Sequence, residues 1–165
     1  MRKRIIIVQR REYDRERGSE MYKALEVSRY VIRYCDSKNS NVSNLKLQKI
    51  LYFIQAEFLV DTGERCFPER IEAWDFGPVV PEVYRRYKIY GGSYIPVPKN
   101  DDYFTFSKED KKRIEHIVDE CIPYSAAQLV EITHHQTPWI EAYHQDRIGE
   151  NEISPESIQR FFTEE

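Results

Sequence analysis

Apolar residues first recur at helical spacing from Ala24. Ala24, Val27, Val31 and Tyr34, with Leu25, Ile32 and Cys35 beside them, predict a helix capped by Ser19 and running to about Ser37. A polar loop, Ser37–Asn41, follows. Ser43 then opens a second helix from Asn44 to about Asp61, closed by Gly63. Its apolar residues, Leu45, Leu47, Ile50, Leu51, Phe53, Ile54, Phe58 and Leu59, cover most of the circumference, and such a helix belongs at the centre of a fold. Gln48, Lys49, Gln55 and Glu57 are expected to mark its wetter side.

The pattern changes after Glu64. Arg70–Asp75 alternates weakly and reads as a short strand, and Phe76–Gly77–Pro78 as a turn. Pro81 sits where a first helical residue belongs, and the helix Pro81–Tyr90 stops at Gly91–Gly92. Tyr94–Val97 and Tyr103–Phe106 read as two strands of a hairpin joined by Lys99–Asp102. The last third is helical again. Ser107 with Asp110 resembles a capping box before Ile114, Ile117, Val118 and Cys121; Ser125 with Gln128 forms another. Thr137–Pro138 and Ser154–Pro155 open two more short helices, the last carrying Ile158, Phe161 and Phe162. No internal repeat, low-complexity segment or linker interrupts residues 21–165. They are expected to form one mainly α domain with a small β-hairpin or short sheet.

Composition narrows the class. The chain has 165 residues, 41% apolar and 32% charged, enough for one core without disulfide or metal support. No apolar run is long enough to span a membrane. Three scattered cysteines with no Cys-x-x-Cys pair fit a reducing, cytoplasmic setting. The net charge of −3 is unevenly spread, because residues 1–20 hold seven bases and four acids. This basic extension has three open readings: a solvated terminus, an added strand at Ile5–Val8, or a segment upstream of a start at Met21. A nucleic-acid arm is a further alternative that the acidic remainder disfavours.

Candidate chemistry is sparse. Cys121, His134 and His144 do not match ligand spacings, so no metal is expected, and no cofactor either. Cys66, in the loop Arg65–Phe67, is the one candidate nucleophile. It carries no local signature, and the chain has no Gly-x-Ser-x-Gly elbow or phosphate-binding glycine loop. A small hydrolase built on Cys66 or His134 is therefore the alternative, and a non-enzymatic protein the preferred reading. A cluster of aromatic and basic residues stands out instead: Phe76, Tyr84, Arg85, Tyr87, Lys88 and Tyr90, the residue types that dominate protein interfaces.

Three blocks carry a resemblance. Leu45–Phe53, with Leu47, Gln48, Lys49, Leu51 and Tyr52, comes first. Ile71–Tyr84 follows, with Trp74, Gly77, Pro78, Pro81 and Tyr84, and then Thr133–His134 with Pro138–Trp139. In order and spacing they are similar to the Panacea domain of the SocA-like antitoxin family, also met as phage-associated proteins. The resemblance spans roughly Ala24 to Tyr143. It implies a mostly helical domain that neutralises a toxin protein encoded nearby, with delivery to an ATP-dependent protease as one route. The toxin and the oligomeric state stay open. The blocks read mainly as scaffold, with Gly77–Pro78 bringing Trp74 and Phe76 to the next helix and Trp139 packing under that turn. Phe76, Arg85, Tyr87, Lys88 and Tyr90 are expected to face the partner, with Val83 and Tyr84 more buried than Arg85, Lys88 and Tyr90.

Overall fold

The computed structural model describes residues 5–7, 21–99, 105–144 and 149–164. Among these residues seven α-helices accompany a small sheet: α1 (Ala24–Ser37), α2 (Asn44–Thr62), β1 (Ile71–Trp74), β2 (Gly77–Val79), α3 (Pro81–Tyr87), α4 (Lys108–Cys121), α5 (Ala126–His134), α6 (Thr137–Ala142), β3 (Glu152–Ile153) and α7 (Pro155–Glu164). A 3₁₀ turn, Lys88–Tyr90, extends α3. The fold is mainly α with a small sheet. No helix among the described residues is long and apolar enough to cross a membrane.

The all-round apolar helix is indeed the hub. α2 packs against α1, α3, α4, α5, α7 and β2. Leu47, Ile50, Leu51, Phe53, Ile54 and Phe58 are fully buried. Ser43 Oγ accepts from the Lys46 N–H, and Gly63 ends the helix with φ +76°. The wetter side, however, does not exist. Gln48, Lys49, Gln55 and Glu57 are all buried, because neighbouring elements close around the helix from Leu47 to Leu59. Polar atoms in such a place need partners. Gln55 supplies one solution: Oε1 accepts from the Cys66 N–H at 2.8 Å, and Nε2 donates to the Phe67 carbonyl at 3.0 Å. One side chain thus replaces the secondary structure that the 66–67 loop lacks.

α1 begins at Ala24, with Lys23 rather than Ser19 at the cap position; Ser19 lies outside the described residues. Lys23 offers no cap, and the Glu69 carboxylate accepts from the Ala24 N–H instead, at 3.1 Å. A ladder of tyrosines then ties α1 and the residues before it to α4. Tyr22 donates to Asp110, Tyr30 to Glu115 at 2.5 Å, and Tyr34 to Asp119 at 2.9 Å. Burial, then the bond to the neighbouring carboxylate, raises the Tyr30 and Tyr34 hydroxyls above their ordinary range. The short stretch Ile5–Ile7 forms no strand. It lies along α4, where His116 Nε2 donates to the Ile6 carbonyl and Ile5 joins the core.

The expected capping box at Ser107 is half present. Ser107 Oγ accepts from the Asp110 N–H, but the Asp110 carboxylate is taken by Arg113 at 2.8 Å and by the Tyr22 hydroxyl. Arg113 also bonds Asp61 at 2.6 Å, so a buried cation between two buried carboxylates joins α4 to the end of α2. The box at Ser125–Gln128 is complete, and α6 and α7 start where Pro138 and Pro155 place them.

The strand expected at Arg70–Asp75 is present as β1, but the expected hairpin after it is not. Tyr94–Val97 is no hairpin strand. Tyr94 makes a lone bridge to Ser43, and the Ile95 N–H bonds the Val42 carbonyl. Phe106 packs its ring on Tyr22 and Tyr30 outside any strand, while Tyr103, Phe104 and residues 100–102 lie outside the described residues. The hairpin is instead β1–β2, in register Glu72↔Val79, Ala73↔Pro78 and Trp74↔Gly77. β3 adds antiparallel to the other edge of β1, giving the order β2-β1-β3.

Removing one member of a buried ion network strands the others. Arg113→Ala is expected to destabilise the fold by about 3–5 kcal/mol in urea unfolding, whereas a charge-free swap of all three members costs far less. An unchanged unfolding midpoint for Arg113→Ala would contradict this account.

Candidate functional site

The first two turns of α2 hold β2 and α3 in place through polar side chains, among them Gln48 and Lys49, which the sequence pattern places on a wetter side. Gln48 Oε1 accepts from the Val80 N–H at 2.9 Å, and its Nε2 donates to Asn44 Oδ1 at 2.8 Å. Asn44 Nδ2 donates to the Tyr84 carbonyl at 3.2 Å. Lys49 Nζ donates to the Pro78 carbonyl at 2.9 Å. One turn on, the Tyr52 hydroxyl donates to Gln136 Oε1 at 2.8 Å, reaching the start of α6. Lys49 is fully enclosed, and burial pulls its ammonium down to about 7.

Gly77 sits directly above Lys49, with φ +102°. A Cβ there would lie 2.8 Å from Thr133 Oγ1 and 2.9 Å from Lys49 Cε. Both the left-handed backbone and the close approach therefore require glycine. Neither Asp75 nor Phe76, at the tip of the hairpin, has a positive φ, so Gly77 carries the reversal.

Three side chains from α5, α6 and the residue after α6 grip this tip. His134 Nε2 donates to the Asp75 carbonyl at 2.9 Å, Trp139 Nε1 donates to the Trp74 carbonyl at 2.9 Å, and the Tyr143 hydroxyl donates to Asp75 Oδ1. Their rings pack in order, His134 tilted by 34° on Trp139 at 4.2 Å and Trp139 stacked on Tyr143 at 4.5 Å. Trp74 Nε1 bonds Glu72, which also pairs with Arg70. The consequence is a fixed turn whose last side chain, Phe76, is 67% exposed. It borders a groove of about 610 Å³ whose walls include Leu45, Trp74, Val79, Tyr84 and Lys88.

The residues expected to face a partner divide. Phe76, Arg85 and Lys88 are exposed. Tyr90 is half-buried and packs on the core. Tyr87 is a correction: only 6% exposed, it belongs to the core beside Val83. Val83 and Tyr87 stand four apart, so they share the one stripe that a helix this short must bury. Tyr84 is a correction in the other direction. It is 36% exposed, meets Trp74 edge-on at 4.9 Å and shares the groove with Lys88, four residues on. Leu47, Leu51, Tyr52, Pro78, Pro81 and Pro138 are buried scaffold. Tyr143, Asp75 and Leu45 were missed. For Tyr143 a signal existed, an aromatic one helical turn after Trp139.

The alternative chemistry fares differently. Cys66 is fully buried, its carbonyl bonded by the Tyr22 N–H, so its thiol is not offered to a substrate. Burial also raises the thiols of Cys35, to about 11, and Cys121. His134 is spent on the turn. Among the described residues no group of three or more His, Cys, Asp or Glu could hold a metal ion.

Residues 47–140 match the family model described as antitoxin SocA-like, Panacea domain. The chain belongs to this family. A 54-residue stretch is 52% identical to a protein named Antitoxin SocA from Caulobacter vibrioides (strain NA1000 / CB15N), covering 33% of this chain and 29% of that protein. The match thus spans well under two thirds of that relative's length. No solved structure matches the chain. The matched span holds α2 from Leu47 onward, the β1–β2 hairpin, α3, α4, α5 and Trp139, and so most of the parts that build and fix the turn. Tyr143, the third ring of the grip, falls just beyond it.

Gly77→Val is expected to lower stability by more than the ~1–3 kcal/mol of backbone strain alone, since the new side chain also meets Thr133 and Lys49. A melting temperature equal to that of the parent protein would refute the fit described. Lys49 gives a pH signature. Its pKa is lower folded than unfolded, so between about 7 and the ordinary 10.5 the unfolded chain binds more protons and stability rises with pH. Below about 7 the folded amine is protonated too, and the full cost of its burial persists. Lys49→Met should therefore flatten the stability slope between neutral and mildly alkaline pH by about 1 kcal/mol per pH unit. Parallel slopes in the two proteins would show that the amine stays charged.

Proposed function

We propose that the protein is an antitoxin that neutralises a toxin protein by direct binding, with the Phe76 turn and the exposed face of α3 as the contact surface. Family membership supports the antitoxin role. The observation that carries the placement is the gripped turn: Phe76 is held outward by three hydrogen bonds behind it. Binding loses affinity to the ordering of loops and side chains, so a pre-set aromatic on a locked turn is an efficient anchor. Tyr84 and Leu45 extend the apolar surface beside it, Lys88 lines the same groove, and Arg85 is exposed on α3. The reading needs no catalytic step. It places the protein in the cytoplasm, beside a toxin encoded nearby. Occupying the toxin is sufficient for neutralisation; delivery to an ATP-dependent protease would require a second contact besides this one.

The test is co-expression with the product of the adjacent reading frame. The parent chain should restore growth and bind that product in purified form. Phe76→Asp should fold normally, because the side chain is exposed, yet weaken binding by about 2 kcal/mol or more, as loss of an anchor does. Full protection by Phe76→Asp would remove the turn from the interface.

A further inference from the structure

Resting on the antitoxin reading above, we propose that the groove between the β1–β2 turn and α3 receives an arginine side chain of the toxin. The charges that line the groove are the first ground. Glu72 and Asp75 belong to its sheet wall. Lys88 is the one lysine or arginine among the described lining residues, and it belongs to the helix wall. Glu72 pairs with Arg70 at 3.1 Å. Asp75 is the unmatched acid. It is exposed, it forms no ion pair among the described residues, and the Tyr143 hydroxyl that donates to it is neutral. Its full charge is therefore open to a cation from the partner. Arg85 and Arg86 do not line the groove and decide nothing about its occupant.

The walls select the kind of cation. Trp74, Phe76, Tyr84 and Tyr143 bring aromatic rings to the lining. Ring faces carry negative potential and attract a cation. A guanidinium is flat and weakly hydrated, stacks on such faces and offers paired N–H donors to a carboxylate. An ammonium is compact and strongly hydrated, and gains less from the same walls. An aromatic groove with an unmatched carboxylate therefore suits arginine above lysine. The sheet wall is also short of donors. Asn151 Nδ2 donates to the Ala73 carbonyl at 3.2 Å, while its buried Oδ1 has no hydrogen-bond partner among the described residues. Such a wall favours an occupant rich in N–H groups, and a guanidinium carries five and no acceptor. A nucleic-acid strand brings the wrong sign, since its phosphates would meet Asp75.

The experiment follows the Trp74 indole signal of the isotope-labelled full chain by NMR during titration with short peptides of Gly and Leu. Each peptide carries one central residue: arginine, its neutral isostere citrulline, lysine or glutamate. The arginine peptide should move the Trp74 signal and weaken with added salt. It should bind about tenfold more tightly than the citrulline or glutamate peptide, and about threefold more tightly than the lysine peptide. Asp75→Asn keeps an acceptor for Tyr143 and should cost the arginine peptide about tenfold, with the fold checked by circular dichroism. Tyr84→Leu should cost it about threefold, and decides the matter if Asp75→Asn disturbs the turn. Lys88→Met removes a lining cation and should leave arginine binding equal or tighter. No binding of the arginine peptide, equal binding of the citrulline peptide, or parental affinity in a folded Asp75→Asn variant would overturn the proposal. So would weaker binding to Lys88→Met, or tighter binding of the glutamate peptide or of a short single-stranded DNA. Self-association of the parent chain that Asp75→Asn abolishes would assign the groove to a second copy and overturn it as well. A separate arm keeps this apart from the antitoxin reading. If the parent chain binds and neutralises the neighbouring gene's product and folded Asp75→Asn does so equally well, the groove proposal fails alone. If the parent chain neither binds nor neutralises it, the antitoxin reading fails, and the groove proposal, which names the toxin as partner, falls with it.

Discussion

Everything that the protein presents to a partner depends on one helix serving both as core and as hydrogen-bond donor and acceptor to irregular backbone. From Leu47 to Leu59 α2 has no exposed face on which to place polar residues, yet the helix carries Asn44, Gln48, Lys49, Tyr52 and Gln55. Each reaches a neighbouring segment. Gln55 binds the 66–67 loop, Lys49 and Gln48 bind the strand–helix junction at Pro78 and Val80, Asn44 binds α3, and Tyr52 reaches the start of α6. Short strands and a seven-residue helix cannot satisfy their own backbone groups once buried. The net gain of each such bond is only about 1 kcal/mol, but an unmade one costs about 1–3 kcal/mol. The polar residues of α2 are thus what permits so much irregular chain to be packed around it.

The gripped turn follows from the same constraint. Because Lys49 fixes the Pro78 carbonyl, the residue before it must pass close over the lysine stem, and only glycine fits there. The reversal at Gly77 then sets where Trp74 and Asp75 point their carbonyls, and α5 and α6 meet those carbonyls with an imidazole and an indole. Packing of the three rings against one another limits their rotation, so the donors arrive pre-aimed. Rigidity at the surface is inherited from the centre: α2 orders β2, β2 orders the turn, and the turn holds Phe76 in solvent.

Local signals made much of this legible. Ser43, Ser125, Gly63 and the helix-starting prolines at positions 81, 138 and 155 marked element ends because capping chemistry acts within a few residues. The all-round apolar pattern of α2 correctly put it at the centre. What could not be read was which distant group a polar side chain meets. Gln48, Lys49 and Gln55 look like a solvated edge until the loops they bind are folded over them. Glu69 caps α1 from 45 positions away, and β3 is a two-residue strand with no periodicity to detect. The exchange of Tyr84 and Tyr87 has a similar origin. Residue types named an interface cluster, but the phase of a seven-residue helix is set by which stripe its neighbours cover.

Charge is partitioned by the same logic, and this decides what the exposed face can offer. The acids of α4 are largely consumed internally, Asp110 by Arg113 and Tyr22, Glu115 by Tyr30 and Asp119 by Tyr34. Tyrosine hydroxyls serve here where lysines would be usual, binding carboxylates without adding positive charge. Such bonds are charge-assisted and stronger than neutral ones. They leave the charge of the Glu115 carboxylate in place, since a tyrosine hydroxyl is neutral. Arg113 is drawn into this packing and buried, while Lys38 pairs with Asp119 at the surface. The bases of α3 meet no such demand, because the helix buries Val83 and Tyr87 and turns Arg85 and Lys88 outward. An acidic body with a basic, aromatic rim around a fixed Phe76 is therefore a product of how the helices pack. It gives any approaching partner a preferred orientation before contact is made.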